Sequence, residues 1–236
     1  PAVTIEHPDI PAARSAAYLF KGQAFHLVAI LGLFAVAYAF AAPVFTGGTW
    51  LGFSVEEWFW LNAALVVVHQ VIVWLVFRGQ LGWRVMTKIF GRADMVVWGL
   101  IFMPLLLLRP VTVLGVALAD TSALALPEWI AIVLGLALCV PALFAMYSVA
   151  HYFGIPRALG GDHFREHYRR MPLVTRGAYR YTGNAMYGHI FLGLWAIALL
   201  TGSQAALAAA FFQHTYIWVH YVATEKPDMD LIYGDG

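Results

Sequence analysis

Charged residues are scarce in this sequence. Asp, Glu, Lys and Arg together make up 11% of its 236 residues, whereas soluble globular domains carry about a quarter. Apolar side chains account for 61%, and the mean hydropathy is +0.73. This composition excludes an ordinary soluble domain and predicts an all-α integral membrane protein, because helices satisfy their own backbone polar groups in hydrocarbon.

Cysteine is nearly absent as well, since Cys139 is the single one. No disulfide can form within the chain. The sequence also lacks a P-loop, an H-E-x-x-H motif and a G-x-S-x-G motif, and nothing in it suggests nucleic-acid binding. His163 and His167 are four residues apart, which could suit a metal. No third ligand is spaced to complete the site, so we expect a solvated amphipathic helix and no metal.

Lysine and arginine are missing from two of the predicted loops, those near Glu56 and Asp120. Between the loops, apolar runs have about the length needed to cross a bilayer as helices. The predicted spans are 24–45, 58–77, 95–118, 129–153, 185–201 and 204–224. The Arg109-Pro110 pair interrupts the third span and could split it into a re-entrant pair.

The cations alternate from loop to loop, and this alternation sets the orientation. By the positive-inside rule, both termini and the basic segment 154–184 lie in the cytoplasm, with Arg109 as the exception. We therefore predict about six transmembrane helices with an N-in/C-in topology.

The last predicted span carries polar residues on one face. His214, Trp218, Tyr221 and Glu225 follow helical spacing, and the face ends at an acid. Small residues in the preceding span allow close helix packing. We expect a C-terminal helical hairpin that closes a polar, cytoplasm-facing site. The alternative is an interfacial belt that hydrogen-bonds within the bundle.

Two segments before that hairpin could contact a ligand. Tyr147 and His151 share a helical face, and the paired glycines of G-G-D-H-F at 160–164 could wrap a small polar ligand. Residues 176–188 bring tyrosines, glycines and arginines together. That segment could bind a ligand, or it could be a positively charged interface anchor with belt aromatics.

Histidines also occur inside the first two spans, where His26, His69 and Gln70 lie. Membrane histidines can ligate haem, so a haem-bearing electron-transfer protein is one alternative. Hydrogen bonding to a neighbouring helix is the other interpretation of these residues.

Three motifs resemble those of the membrane phospholipid methyltransferases, which include the phosphatidylethanolamine N-methyltransferases and the isoprenylcysteine carboxyl methyltransferases. G-G-D-H-F at 160–164 resembles G-D-Y-F, and Y-R-Y-T-G-N-A-M-Y at 179–187 resembles Y-R-x-x-R-H-P-M-Y. E-K-P-D-M-D-L-I-Y at 225–233 is similar to E-E-P-x-x-x-x-I-Y. Gly183 stands where many relatives have Arg. The resemblance covers about residues 129–233, so we expect one membrane domain, 1–236, with N-terminal spans in 1–128 and a methyltransferase-like core in 129–236.

The resemblance implies S-adenosylmethionine as methyl donor, bound at the cytoplasmic ends of the last three helices. Such a donor needs aromatic faces, a cation for its carboxylate and a carboxylate for its ammonium. The cofactor-binding residues this implies are Gly160, Gly161, His163, Arg180, Tyr181, Asn184, Met186, Tyr187 and Glu225.

A lipid amine must lose a proton before it attacks, which requires a general base. The candidates, in order, are His189, His151 and Glu225. An anionic headgroup would need cations, and three arginines of the basic segment could hold its phosphate. The predicted substrate-binding residues are Arg165, Arg169, Arg170, Tyr147, His214, Trp218 and Tyr221.

The sequence therefore favours a methyltransferase that acts on the amine of phosphatidylethanolamine or its methylated derivatives. Another membrane-borne acceptor, such as a prenylcysteine carboxylate or a thiol, is the alternative within this fold. A haem protein and an NADPH-dependent reductase of the sterol type are alternatives from other classes.

Overall fold

Helices account for most of the structure, a computed structural model that describes residues 10–234. The α-helices are α1 (Ala16–Leu19), α2 (Gln23–Ala41), α3 (Val55–Trp83), α4 (Val85–Phe90), α5 (Asp94–Ala119), α6 (Glu128–Ser148), α7 (Ile155–Ala158), α8 (Gly161–Phe164), α9 (Glu166–Arg169), α10 (Leu192–Thr201), α11 (Gln204–His220) and α12 (Lys226–Tyr233). A two-residue strand pair, β1 (Thr49–Trp50) and β2 (Phe53–Ser54), is antiparallel, with Thr49 opposite Ser54.

Four helical stretches in the described part are long and apolar enough to cross a membrane. They are Ala16–Val44, Val55–Trp83, Val85–Ala119 and Glu128–Phe153. This agrees with the all-α membrane fold. The last two predicted spans correspond to shorter helices, the apolar stretch Met186–Thr201 and α11. The count of six spans and the orientation stay predictions.

Helix α5 runs without a break through Pro104 and Pro110, so the Arg109-Pro110 pair does not split it. The Arg109 carbonyl accepts hydrogen bonds from Thr112 Oγ1 at 2.9 Å and from Gln213 Nε2 at 3.2 Å. The Arg109 carbonyl, in the apolar middle of α5, thus has side-chain donors from within α5 and from α11. The second bond also ties α5 to α11.

Helix α11 lies inside the bundle and packs against α2, α3, α5 and α10. Its alanine-rich start is buried, with Ala205, Ala206 and Ala209 fully inaccessible to solvent. Small side chains allow helices to approach closely. A central helix can therefore be rich in alanine and less hydrophobic than its neighbours. α10 and α11 form a hairpin across Gly202, whose φ of +66° suits glycine.

Three π-helical turns interrupt the C-terminal helices. They are Val149–Phe153 after α6, Met186–Ile190 before α10 and Tyr221–Glu225 after α11. Such turns are rare and frequently mark functional sites. All three border the same cavity, described below.

The C-terminal end of α3 is fixed by Arg78, which is fully buried. Its Nε lies 3.1 Å from Asp228 Oδ1, and its terminal nitrogens donate to the carbonyls of Tyr18 and Ala223 at 3.0 and 2.9 Å. The Tyr18 hydroxyl also donates to Asp228, at 2.8 Å. Arg78 thereby fixes α12, and with it Glu225, which precedes the first residue of α12.

Candidate active site

A cavity of about 330 Å³ lies between α3, α5, the end of α6, the 155–187 segment and the end of α11. That volume falls in the range of small-molecule sites. Apolar side chains form most of its wall, among them Phe77, Phe102 and Phe153. A few polar groups converge on it, which is the usual composition of a ligand site.

Glu225 is one of two carboxylates that line this cavity, the other being Asp162. The Tyr187 hydroxyl donates a short hydrogen bond to Glu225 Oε2, and His220 Nε2 lies 3.6 Å from Oε1. Burial raises the pKa of Glu225 to about 7, because a low-dielectric surrounding disfavours the charged form. Glu225 can therefore hold a cation or accept a proton near neutral pH.

His163 forms a second polar group at the wall, and acids surround it. Its Nδ1 lies 3.1 Å from Asp162 Oδ1 and its Nε2 3.5 Å from Asp228 Oδ2. The ring stacks on Phe77 with a centroid distance of 4.0 Å. Burial alone would lower the pKa of His163, but the hydrogen bond to Asp162 and the two negative charges raise it to about 9. We infer an imidazolium at neutral pH whose charge is already balanced.

The part of the cavity lined by α3 and α5 is also polar, but its groups lack partners. Arg109 is 3% exposed, and its Nε and Nη2 have no hydrogen-bond partner among the described residues. Both ring nitrogens of His69 likewise have none there. The Arg109 guanidinium lies 5.2 Å from the Phe191 ring centroid, and His69 packs against Phe102.

The structure brings seven of the residues suggested by the sequence to the cavity wall. These are Gly160, His163, Asn184, Met186, Tyr187, Tyr221 and Glu225. The remaining ones lie elsewhere: Gly161, Arg180, Tyr181, His189, His151, Tyr147, His214, Trp218, Arg165, Arg169 and Arg170. Their suggested roles stay predictions.

The three candidate bases occupy different environments. His151 is exposed and stacks on Tyr147 with a centroid distance of 5.2 Å. His189 is half-buried, and its Nδ1 has no partner among the described residues. Of these three candidates, Glu225 is the one that lines the cavity.

The candidate headgroup arginines mostly bind other parts of the protein. Arg165 forms a hydrogen-bonded ion pair with buried Asp94, with one N–O distance of 2.9 Å. Arg169 Nε donates to the Asp162 carbonyl at 2.7 Å. Arg170 pairs with Glu166 at 3.1 Å, and its side chain is 70% exposed. Of the three, Arg170 is the most accessible to a headgroup.

The aromatic stripe of the last helix faces the preceding helix. His214 accepts a hydrogen bond from Trp195 Nε1 at 3.0 Å. The Trp218 ring lies 6.0 Å from that of Tyr187. Tyr221 and Glu225 line the cavity, whereas His214 and Trp218 do not. The π-helical turn Tyr221–Glu225 shifts the helical register after Tyr221 and so affects the position of Glu225.

The histidines suggested as haem ligands differ in their hydrogen bonds. His26 Nδ1 lies 2.8 Å from Gln23 Oε1, and its Nε2 lies 2.8 Å from the Tyr216 hydroxyl. These bonds leave no free nitrogen on His26 for an iron. His69 and Gln70 line the cavity instead.

Sequence reasoning missed Arg109 as a site residue. Its signal was available, because Arg109 was the one cation that broke the orientation rule. A charged residue within a membrane span marks a functional-site candidate. Tyr179, whose buried hydroxyl has no partner among the described residues, was also missed, although it lies in the quoted 179–187 motif.

Comparison with known proteins identifies the C-terminal part. Residues 130–236 match the family model described as phospholipid methyltransferase. The matched part, less than half of the chain, is thus similar to members of that family. One similar protein is a phosphatidylethanolamine N-methyltransferase of Botryotinia fuckeliana (strain B05.10), 31% identical over 102 residues. That alignment covers 43% of this chain and 10% of the relative, so the chain spans about a tenth of that protein. None of the solved structures matches the chain.

The cavity is built from both halves of the chain. The segment that matches the family model supplies Glu225, Tyr187 and His163. Arg109 and His69 come from helices that precede the matched segment. The N-terminal helices are therefore part of the candidate site.

Proposed function

We propose that this chain is an S-adenosylmethionine-dependent methyltransferase that acts on a membrane lipid, foremost on the amine of phosphatidylethanolamine or its methylated derivatives. One observation carries the proposal: two of the family-like motifs meet at the cavity, where Tyr187 of the first motif hydrogen-bonds Glu225 of the second. The residues are 38 positions apart, and the contact unites them in one site.

The residues present fit the donor. Glu225 offers a carboxylate to a cationic group, and the aromatic walls offer faces to a sulfonium or an adenine. Gly183 lines the cavity, and a Cβ there would meet nothing within 4 Å, so a ligand can approach the backbone closely. When bound, the donor supplies a methyl group carried on a sulfonium.

The chain's own contribution is positioning and exclusion of water. Tyr187 fixes one oxygen of Glu225 and leaves the carboxylate available to an ammonium. The pKa of about 7 allows Glu225 to ionise when a cation arrives. Phe77, Phe102 and Phe153 keep the surroundings apolar, which strengthens these interactions.

An apolar groove beside the cavity supports a lipid acceptor. It runs along α5, and two residues, Met103 and Leu159, line both the groove and the cavity. Val96 and Leu100 on its wall are 65% and 71% exposed. We propose that an acyl chain lies in this groove while the headgroup enters the cavity.

The proposed membrane arrangement keeps six spans, with α10 and α11 crossing as short helices inside the bundle. Asp162 and Glu225 of the cavity wall then lie on the cytoplasmic side, together with the basic segment 154–184. In this arrangement the proposed parts are the N-terminal spans, 1–128, and the core, 129–236.

The test uses membranes of cells that express the chain, with membranes from cells lacking it as the control. They are incubated with methyl-tritiated donor, and the lipids are extracted. Label in methylated phosphatidylethanolamine or phosphatidylcholine supports the proposal. Base-labile label on protein would indicate a prenylcysteine acceptor, and no chain-dependent label would overturn the proposal. A strong absorbance near the visible–ultraviolet boundary would favour haem.

A further inference from the structure

Arg109 is a buried cation in an unusual position. It lies 15 residues after Asp94, the first residue of α5, which places it roughly 22 Å along the helix. Its side chain lines the cavity that contains Glu225. Guanidinium groups stay protonated in proteins, so the cavity contains a positive charge far from the start of α5.

Among the described residues, no carboxylate acts on this charge. The groups that interact with it electrostatically are the side chains of Tyr216 and Tyr187 and the rings of His69 and His220. The Phe191 ring, 5.2 Å away, offers a cation–π contact but no hydrogen-bond acceptor. Nε and Nη2 remain without acceptors among the described residues, although buried polar groups are almost always paired.

Another cation at the cavity, Arg157, is bonded differently. It donates to the Pro172 carbonyl at 2.9 Å and lies over the Phe153 ring. The Arg109 side chain donates no hydrogen bond to any of the residues 10–234. Its planar fork of donors matches the two oxygens of a carboxylate or the oxygens of a phosphate.

The cavity therefore pairs a cation with an acid. Tyr187 interacts with both groups. Its hydroxyl donates a hydrogen bond to Glu225, and it also interacts electrostatically with Arg109. We propose that Arg109 binds the oxyanion of a zwitterionic ligand whose ammonium group is held at Glu225. This inference rests on the proposed function, in which two molecules carry such a pair of charges: the donor, with a carboxylate, and phosphatidylethanolamine, with a phosphate.

The experiment is a cycle between protein and ligand, using the full chain in nanodiscs. Calorimetry compares S-adenosylhomocysteine with the same molecule lacking its carboxylate, on wild type, Arg109→Met and Arg109→Lys. Lys88→Met, which removes an exposed cation outside the cavity, is the control. If Arg109 binds the donor carboxylate, removal of either partner weakens binding about tenfold to a hundredfold. Removal of both then costs little more than removal of one.

A second set of measurements, the lipid arm, tests whether the oxyanion is the phosphate of the lipid and not the carboxylate of the donor. Binding of phosphatidylethanolamine is compared with that of diacylglycerol, which lacks the phosphate, on the same variants. If the phosphate is the partner, Arg109→Met erases the preference for the phospholipid while the donor cycle shows no coupling.

Coupling in either arm supports the inference. The absence of coupling in both arms overturns it, even if wild type binds the donor and methylates lipid. If wild type binds no donor, the proposed function fails, and the lipid arm still decides on Arg109. Should Arg109→Met fail to fold, Arg109→Lys, which keeps the charge but loses the fork, completes the cycle.

Discussion

Arg78 and Arg109 are both buried cations on neighbouring helices, and both precede the segment that matches the family. Their side chains have opposite surroundings. Arg78 bonds Asp228 and several backbone carbonyls, whereas Nε and Nη2 of Arg109 have no hydrogen-bond partner within the described chain. Burial alone therefore does not separate a structural charge from a ligand-binding one. The hydrogen-bond and ion-pair partners of the cation do separate them, because a structural cation is paired within the protein.

The same contrast holds for two histidines at the cavity. His163 lies between Asp162 and Asp228, while both nitrogens of His69 lack partners among the described residues. The groups beside α12 are thus paired within the protein. The groups on α3 and α5 that line the cavity are open to a ligand.

Replacement of Arg78 should have the largest effect on the stability of the protein. Arg78→Met removes one of the two cations beside buried Asp228 and takes the donor from the carbonyls of Tyr18 and Ala223. Breaking a buried pair in this way costs about 3–5 kcal/mol. We expect a large fall in the thermal midpoint of the ligand-free protein in nanodiscs. Arg180→Met, at an exposed position, should leave the midpoint unchanged. A midpoint for Arg78→Met equal to that of the control would contradict the structural role of Arg78.

Arg109→Met tests the other half of the comparison between Arg78 and Arg109, because a cation without a partner in the protein should contribute little to stability. No protein acid is orphaned when this cation is removed, and a costly buried charge disappears. The midpoint of the ligand-free protein should therefore fall by no more than the equivalent of about 1 kcal/mol. A loss as large as that of Arg78→Met would mean that Arg109 is paired within the protein.

The His163 cluster predicts a pH dependence of stability. The folded pKa of His163 is raised from 6.5 to about 9, so the folded state holds this proton more tightly than the unfolded state. Its contribution is fully present below pH 6.5 and is lost as the pH rises through about 9. Thermal midpoints measured between pH 6 and 10 should fall over that window. The fall should be smaller in His163→Gln, and equal slopes in both proteins would refute the assignment.

The smallest effect is expected at Arg170. Its pair with Glu166 is exposed, and such pairs contribute about 0–1 kcal/mol. Arg170→Ala should leave stability nearly unchanged. If Arg170 meets a headgroup phosphate, the KM for lipid should rise by up to about fivefold, while the KM for the donor stays constant. Equal changes in both constants would indicate a general electrostatic effect instead.

Local patterns in the sequence were sufficient to predict part of this structure. Apolar runs predicted four helices with bounds close to those observed, because burial in hydrocarbon depends on each segment's own composition. The resemblance brought Glu225, Tyr187 and Asn184 into one predicted site, and all three line the cavity. The predicted spans 185–201 and 204–224 end and begin where α10 ends and α11 begins, so the position of the turn between them is confirmed.

The remaining features depend on contacts between distant segments. Arg165 binds Asp94, 71 residues away, which sequence spacing gives no means to foresee. The π-helical turn at Tyr221–Glu225 changes which residues share a face, so the regular spacing from His214 to Glu225 was misleading. Arg109 reaches the cavity because α5 packs against α3 and α11, a pairing that no local pattern encodes.

The central claim is that the cavity around Glu225 is the donor site, and Glu225→Gln tests it most directly. Calorimetry would measure S-adenosylhomocysteine binding at pH 8, with Asp230→Asn as the control, because Asp230 pairs with Lys226 at an exposed position. We predict a loss of affinity of about tenfold to a hundredfold for Glu225→Gln. Thermal stability without ligand should not fall, since a carboxyl with a pKa of about 7 is already unfavourable as a buried charge. Reduced stability with unchanged affinity would contradict the account.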